Sequence, residues 1–202
     1  SSDVCSSDLM STIEEVKKAV EVIEDAGNSQ ICLLHCISIY PPEMNTIHLN
    51  NILGLRELFP NYPIGFSDHS IGCQIANAAT ALGAALIEKH LTLDHKKIGM
   101  DNQMAMEPED LKNLVNGCND VYEAMGSKER VVLQAEVEQK AKMRRSVIAA
   151  RDLKAGQVLT ADDLDAKRPG TGISPDRIDS MIGMTVTRDI TADELLKESD
   201  IK

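Results

Sequence analysis

Residues 65–90, GFSDHSIGCQIANAATALGAALIEKH, limit what this chain can fold into more than any other stretch. They read as a short strand ending in Phe66-Ser67-Asp68-His69, a helix with Ile71, Ile75, Ala78 and Leu82 at helical period, and a second strand over 85–90. A strand-helix-strand unit lays its two strands side by side and parallel, so His69 and His90 leave the sheet at the same edge. Two imidazoles at neighbouring C-terminal strand ends could share one divalent metal; two unrelated loop or core histidines are the plain alternative. Alternation puts Ser67 on the side of His69, and Leu86 and Glu88 on the side of His90.

The flanking chain keeps the same rhythm. Ser11 and Glu14 stand at capping-box spacing, ahead of a helix whose buried stripe is Ile13, Val16, Val20 and Ile23 and whose stop is Gly27. Residues 31–36 form an almost wholly apolar strand, as expected when both faces are covered. It runs into Ser38-Ile39-Tyr40-Pro41-Pro42, where the prolines end pairing; Cys36, Ser38 and Tyr40 fall on one side. A helix over 47–59 precedes the central stretch. Another opens on Pro108 and packs through Leu111, Leu114, Val115, Cys118, Val121 and Met125 before Gly126. Alternation of this kind means a parallel sheet with covering helices, either barrel or open. Three strands cannot close a barrel, so a barrel would be present only in its last part.

Residues 127–145 are charged and lack a core stripe, which suits a solvated helical connector. From 146 the rhythm changes to short strand-like pieces, 147–150 and 185–188 among them, with turns at Lys154-Ala155-Gly156, Pro169-Gly170 and Ser174-Pro175. This part contains an echo at an offset of 37 residues: Arg151-Asp152-Leu153 returns as Arg188-Asp189-Ile190, Val158-Leu159 as Leu195-Leu196, and Asp163-Leu164 as Asp200-Ile201. A small domain of two similar halves is the expectation.

Composition excludes several classes. The formal charge of -11, from 21 basic and 32 acidic residues, argues against a nucleic-acid surface. No apolar run approaches a membrane span. Five cysteines with no CxxC pair, Cys32 and Cys36 lying about 13 Å apart on an extended strand, point to free thiols and a cytoplasmic protein. Residues 1–9, SSDVCSSDL, have no periodicity and read as a leader foreign to the fold.

LLHCISIYP at 33–41, GFSDHS at 65–70, IEKHLTLD at 87–94, Asp101 before MEPED, RRSVIAARDLKAG at 144–156 and KRPGTGIS at 167–174 resemble the sialic acid synthase family. These enzymes make N-acetylneuraminate and related nonulosonic acids from phosphoenolpyruvate. The resemblance implies an α/β chain: the C-terminal part of a TIM (β/α)8 barrel at 10–126, the linker at 127–145, and a small antifreeze-like (SAF, β-clip) domain at 146–202. By the same resemblance His69 and His90 match metal ligands, usually for manganese, with magnesium as the alternative. Ser67 matches a phosphoenolpyruvate contact, and Tyr40 and Asp101 match positions for the acceptor, an N-acylated amino sugar. Ser38 stands where some members carry a polar Asn. Arg168 matches an arginine that the small domain inserts into the partner subunit's barrel mouth, which implies a domain-swapped homodimer.

The family's acid/base glutamate and its phosphoenolpyruvate-clamping lysines lie on barrel strands that this sequence does not contain, so an inactive C-terminal fragment is expected. Isoleucine at 39 and the GMDNQMA run at 99–105 leave legionaminic or pseudaminic acid synthase as alternatives. A rival of another class is a non-catalytic carbohydrate or protein binding module at 146–202. Beside these stand structural readings: Asp68 orients His69 or a loop, His35 is a hydrogen-bonded core residue, His48 and His95 are solvated, and Met100, Met104 and Met106 are packing.

Overall fold

A three-stranded parallel sheet carries the first half of the chain. Its strands are β1 (Leu33–Cys36), β2 (Ile64–Asp68) and β3 (Ile87–Lys89), in the order β1-β2-β3. The register sets Cys36 beside Ser67, Ser67 beside Glu88 and Asp68 beside Lys89. All five residues of β2 are buried, as its central place and apolar content demand. The computed structural model describes residues 10–99 and 101–202; the leader at 1–9 and Met100 of the proposed methionine cluster lie outside the described residues. The chain divides into two compact units, Ser1–Ser127 and Lys128–Lys202.

In the first unit, α1 (Ile13–Asp25), α2 (Asn51–Leu58), α3 (Gln74–Ala81) and α4 (Pro108–Met125) alternate with the strands. Val20, Ile47, Ile52, Phe59, Ile64 and Phe66 form the main core between α1, α2 and the sheet, and Ala76, Met106 and Leu114 join α3 to α4. Pro108 is the first helical residue of α4, as its missing N–H allows.

Four local readings are corrected. The cap of α1 is Thr12, not Ser11: Thr12 Oγ1 accepts from Glu15 N at 3.3 Å and the Glu15 carboxylate accepts from Thr12 N at 2.7 Å. α2 begins at Asn51, after a 3-10 turn at Met44–Thr46 and His48 at φ 47°, so the helix is shorter than the expected 47–59. α3 begins at Gln74 because Gly72, at φ 84°, interrupts the helical path; Ile71 is therefore 62% exposed, and Ala76 and Ala79 form the buried face. The strands β2 and β3 stop at Asp68 and Lys89, each one residue short of its histidine.

In the second unit α5 (Gln134–Met143) is exposed along its length. β4 (Ser146–Ala149) then pairs antiparallel with β5 (Leu164–Lys167), and α6 (Ile178–Met181) is a single turn. The expected strand at 185–188 is reduced to single bridges, Val158 with Thr185 and Val186 with Ile201. The 37-residue echo is expressed in bonding. Arg151 Nε donates to Asp163 at 2.7 Å and Arg188 Nε to Asp200 at 2.8 Å. Leu153 and Ile190 exchange both backbone bonds. Ala155 N donates to Asp189 while Ala192 N donates to Asp152. Each half thus supplies the other's acceptors, an approximate two-fold arrangement around the core of Val147, Leu159, Met181 and Leu196. Among the described residues no helix is long and apolar enough to cross a membrane, and Cys32, Cys36, Cys73 and Cys118 are free thiols.

Candidate functional site

The C-terminal ends of all three parallel strands deliver polar side chains to one place, as parallel topology requires. β1 leads through Ile37 and Ser38 to Tyr40, β2 into His69, and β3 into His90. The loop after β3 returns beside its own start: Met106 N donates to His90 O and Thr92 N to Met106 O, each at 2.8 Å. That closure brings Asp101 back to His90.

Ring geometry shows the convergence. Tyr40 stacks on His69 with centroids 4.0 Å apart, and His90 lies 5.4 Å from both the Tyr40 and the His69 ring. His69 Nδ1 is 2.8 Å from the Ile37 carbonyl, which can only accept, so Nδ1 carries a proton, and in the neutral ring Nε2 holds the lone pair. Tyr40 Oη donates to that Nε2 at 3.1 Å. Asp101 Oδ2 stands 4.0 Å from His90 Nδ1, and the Cys36 thiol 3.8 Å from His69 Nδ1. Partial loss of solvent, with added repulsion from Cys36, Asp101 and Glu88, holds the Tyr40 phenol above its ordinary value of 10.0, so it stays a proton donor near neutrality.

Six of the seven candidate residues lie in the first unit. His69, His90, Tyr40 and Asp101 meet directly. Ser67 is buried and donates to Glu88 at 2.7 Å, so its hydroxyl is engaged across the sheet. Ser38 Oγ is buried with no hydrogen-bond partner among the described residues. Arg168 belongs to the second unit, where its Nε donates to Met143 O at 3.1 Å. His35 is the core residue its position suggested, bonded to Ile47 O at 2.6 Å.

Two structural readings are narrowed or corrected. Of the two roles offered for Asp68 the structure shows the loop and not His69: the carboxylate accepts from Ser70 N, just past the strand, and from Lys89 Nζ, both at 2.8 Å. His95 is only half-exposed and lies 3.5 Å from Glu107 at the entrance of α4. Sequence reasoning also missed the Ile37 carbonyl, which no residue pattern marks because any residue supplies a carbonyl. The Lys89 to Asp68 pair was missed because it becomes visible only once the β2/β3 register is known.

The donor set fits a divalent cation in an open site. Among the described residues no group of three or more His, Cys, Asp or Glu is arranged to hold a metal, so a cation here would take at most the two imidazoles from the protein. The Nε2 lone pair of His69, which accepts from Tyr40 Oη, has the chemistry a metal needs once that bond is given up, and its Nδ1–H is anchored as in metal-binding histidines generally. Substrate or water would complete the coordination.

Residues 2–130 match the NeuB family and residues 144–202 match the SAF domain. The chain belongs to the NeuB family. The three-stranded unit is accordingly part of a TIM-barrel-type α/β fold, with an SAF domain after it. An uncharacterized protein of Methanocaldococcus jannaschii is 37% identical over 95% of this chain and 57% of its own length. N,N'-diacetyllegionaminic acid synthase of Campylobacter jejuni is 35% identical over 94% of this chain, again 57% of its own length. The crystal structure of N-acetylneuraminic acid (sialic acid) synthetase from Leptospira borgpetersenii, in complex with citrate, aligns at TM-score 0.59 and 32% identity over 65% of this chain and 45% of that one. The chain spans a little over half the length of the curated NeuB-family relatives it matches.

Proposed function

We propose that this chain carries the metal and acceptor-sugar side of a phosphoenolpyruvate-dependent synthase that makes a nonulosonic (sialic) acid from an N-acylated amino sugar of the N-acetylmannosamine type. The observation that carries the reading is the meeting of His69, His90, Tyr40 and Asp101 at three parallel strand ends, with the Nδ1–H of His69 anchored on the Ile37 carbonyl and its Nε2 turned to the Tyr40 hydroxyl. His69 and His90 would hold a divalent cation, manganese or else magnesium, which when bound supplies Lewis-acid polarisation of an aldehyde or of an attacking water. Tyr40, a neutral donor beside it, can hydrogen-bond the sugar oxygen that gains negative charge as the new carbon–carbon bond forms. Asp101 and Ser38 suit sugar hydroxyl or amide groups, and Ser67, now donating to Glu88, would turn its hydroxyl to phosphoenolpyruvate. Arg168, a fixed cation, suits the sugar or an anion across a dimer.

Phosphoenolpyruvate needs cations for its phosphate and carboxylate. Lys89, the cation next to His90 in sequence, is committed to Asp68 and Ser70 with its side chain 4% exposed. The chain alone is therefore proposed to bind cation and sugar without turnover. The 35% identity to a legionaminic acid synthase favours a diacetamido sugar as the second acceptor choice.

Titration calorimetry with Mn²⁺, followed by N-acetylmannosamine and a diacetamido hexose, tests the reading. Wild type is expected to bind Mn²⁺, and sugar only in its presence, while His69→Ala and His90→Ala bind neither. Sugar binding that survives both substitutions would turn the assignment toward a non-catalytic binding module. Phosphate release by the 202-residue chain alone would overturn the division of labour.

A further inference from the structure

The most deeply buried charges of the first unit do no chemistry in the proposed reaction, yet they sit one residue before each histidine. Asp68 ends β2 and precedes His69; Lys89 ends β3 and precedes His90; the register sets the two directly opposite. Their side chains are 0% and 4% exposed and meet at 2.8 Å. Lys89 Nζ also donates to Ser70 O, and Ser70 N donates to the Asp68 carboxylate. Both residues flanking His69 are thus tied to the residue that precedes His90.

We infer that Asp68 and Lys89 are positioning residues, a clamp that fixes the distance and orientation between His69 and His90 so that both imidazoles can reach one divalent cation. This rests on the shared-cation reading above. A buried ion pair is an inefficient source of stability, because desolvation of two charges offsets their attraction, but it is demanding of geometry. Here the geometry it demands is the one the histidines need. Alternation keeps the clamp on the opposite face from Ser67 and Glu88, so it braces the strand ends without entering the site. The third anchor of His69, the Ile37 carbonyl, fixes the ring's tautomer from the side of β1.

The test separates positioning from stability. Removing one partner leaves a lone buried charge and can unfold the chain, so the informative variant replaces both by apolar side chains of similar size, Asp68→Leu with Lys89→Met. Two readouts on the full chain are taken: Mn²⁺ affinity by calorimetry, and the His69 tautomer by ¹⁵N-edited imidazole spectra, which need no metal. The double variant is expected to keep its melting temperature within a few degrees of wild type, to bind Mn²⁺ about tenfold or more weakly, and to lose the single Nδ1–H tautomer. Unchanged affinity together with an unchanged tautomer overturns the inference, as does a double variant that cannot fold, since the pair would then be a fold determinant only. Should wild type itself bind no Mn²⁺, the shared-cation reading fails, and the tautomer readout alone decides whether the clamp orders the histidines.

Discussion

Asp163 shows how one buried carboxylate is made useful. Burial alone would push its carboxyl up, but bonds from Arg151 Nε, Thr160 Oγ1 and Thr160 N outweigh that and hold it at about 2, below its ordinary 3.8. A folded carboxyl that titrates lower than the unfolded one stabilises fully above the unfolded value, and that contribution is lost as pH falls through the folded value. Melting of the second unit, followed on the full chain, is therefore expected to weaken between about pH 4 and pH 2. Asp163→Asn should flatten that dependence, and Asp163→Ala should cost roughly 2–4 kcal/mol by stripping partners from Arg151 and the Thr160 turn. Arg188 does the same for Asp200, whose carboxyl is likewise held low.

At the level of elements, β2 leaves little room for a larger side chain at the centre of the first unit. Gly65 lies between the Leu34 side chain and the backbone of β3's approach; a methyl there would stand 2.6 Å from Leu86 O and would also collide with Leu34. Gly65→Ala is expected to cost about 1–3 kcal/mol, read by chemical denaturation, and to weaken Mn²⁺ binding by prising β2 from β3. The order of helices and strands, and the pairing of His69 with His90, could be read from apolar periodicity and from parallel topology. Boundaries could not, because a one-residue difference in capping, Ser11 against Thr12, changes no hydrophobic pattern. Ile71 misled for a related reason: it fits the helical period of α3, and only the left-handed Gly72 shows that the helix has not begun. The clamp between Asp68 and Lys89 lay beyond reach, since two charges in apolar strands look alike whether they face solvent or each other.

For the molecule as a whole, the two units obey different rules. The first is a layered sheet whose polar chemistry gathers at strand ends; the second is a folded-back pair of similar halves with little regular strand. Arg151 with Asp163 and Arg188 with Asp200 occupy equivalent places, so Arg151→Ala and Arg188→Ala are expected to lower hydrogen-exchange protection throughout 146–202, not merely in the half that was altered. Protection lost only locally would contradict this. The reciprocity of Leu153 with Ile190, and of Ala155 and Ala192 with each other's aspartates, has a further consequence. Neither half owns a complete set of backbone partners, so a state with one half formed and the other open would strand donors and acceptors on both sides. Such a unit melts all or none.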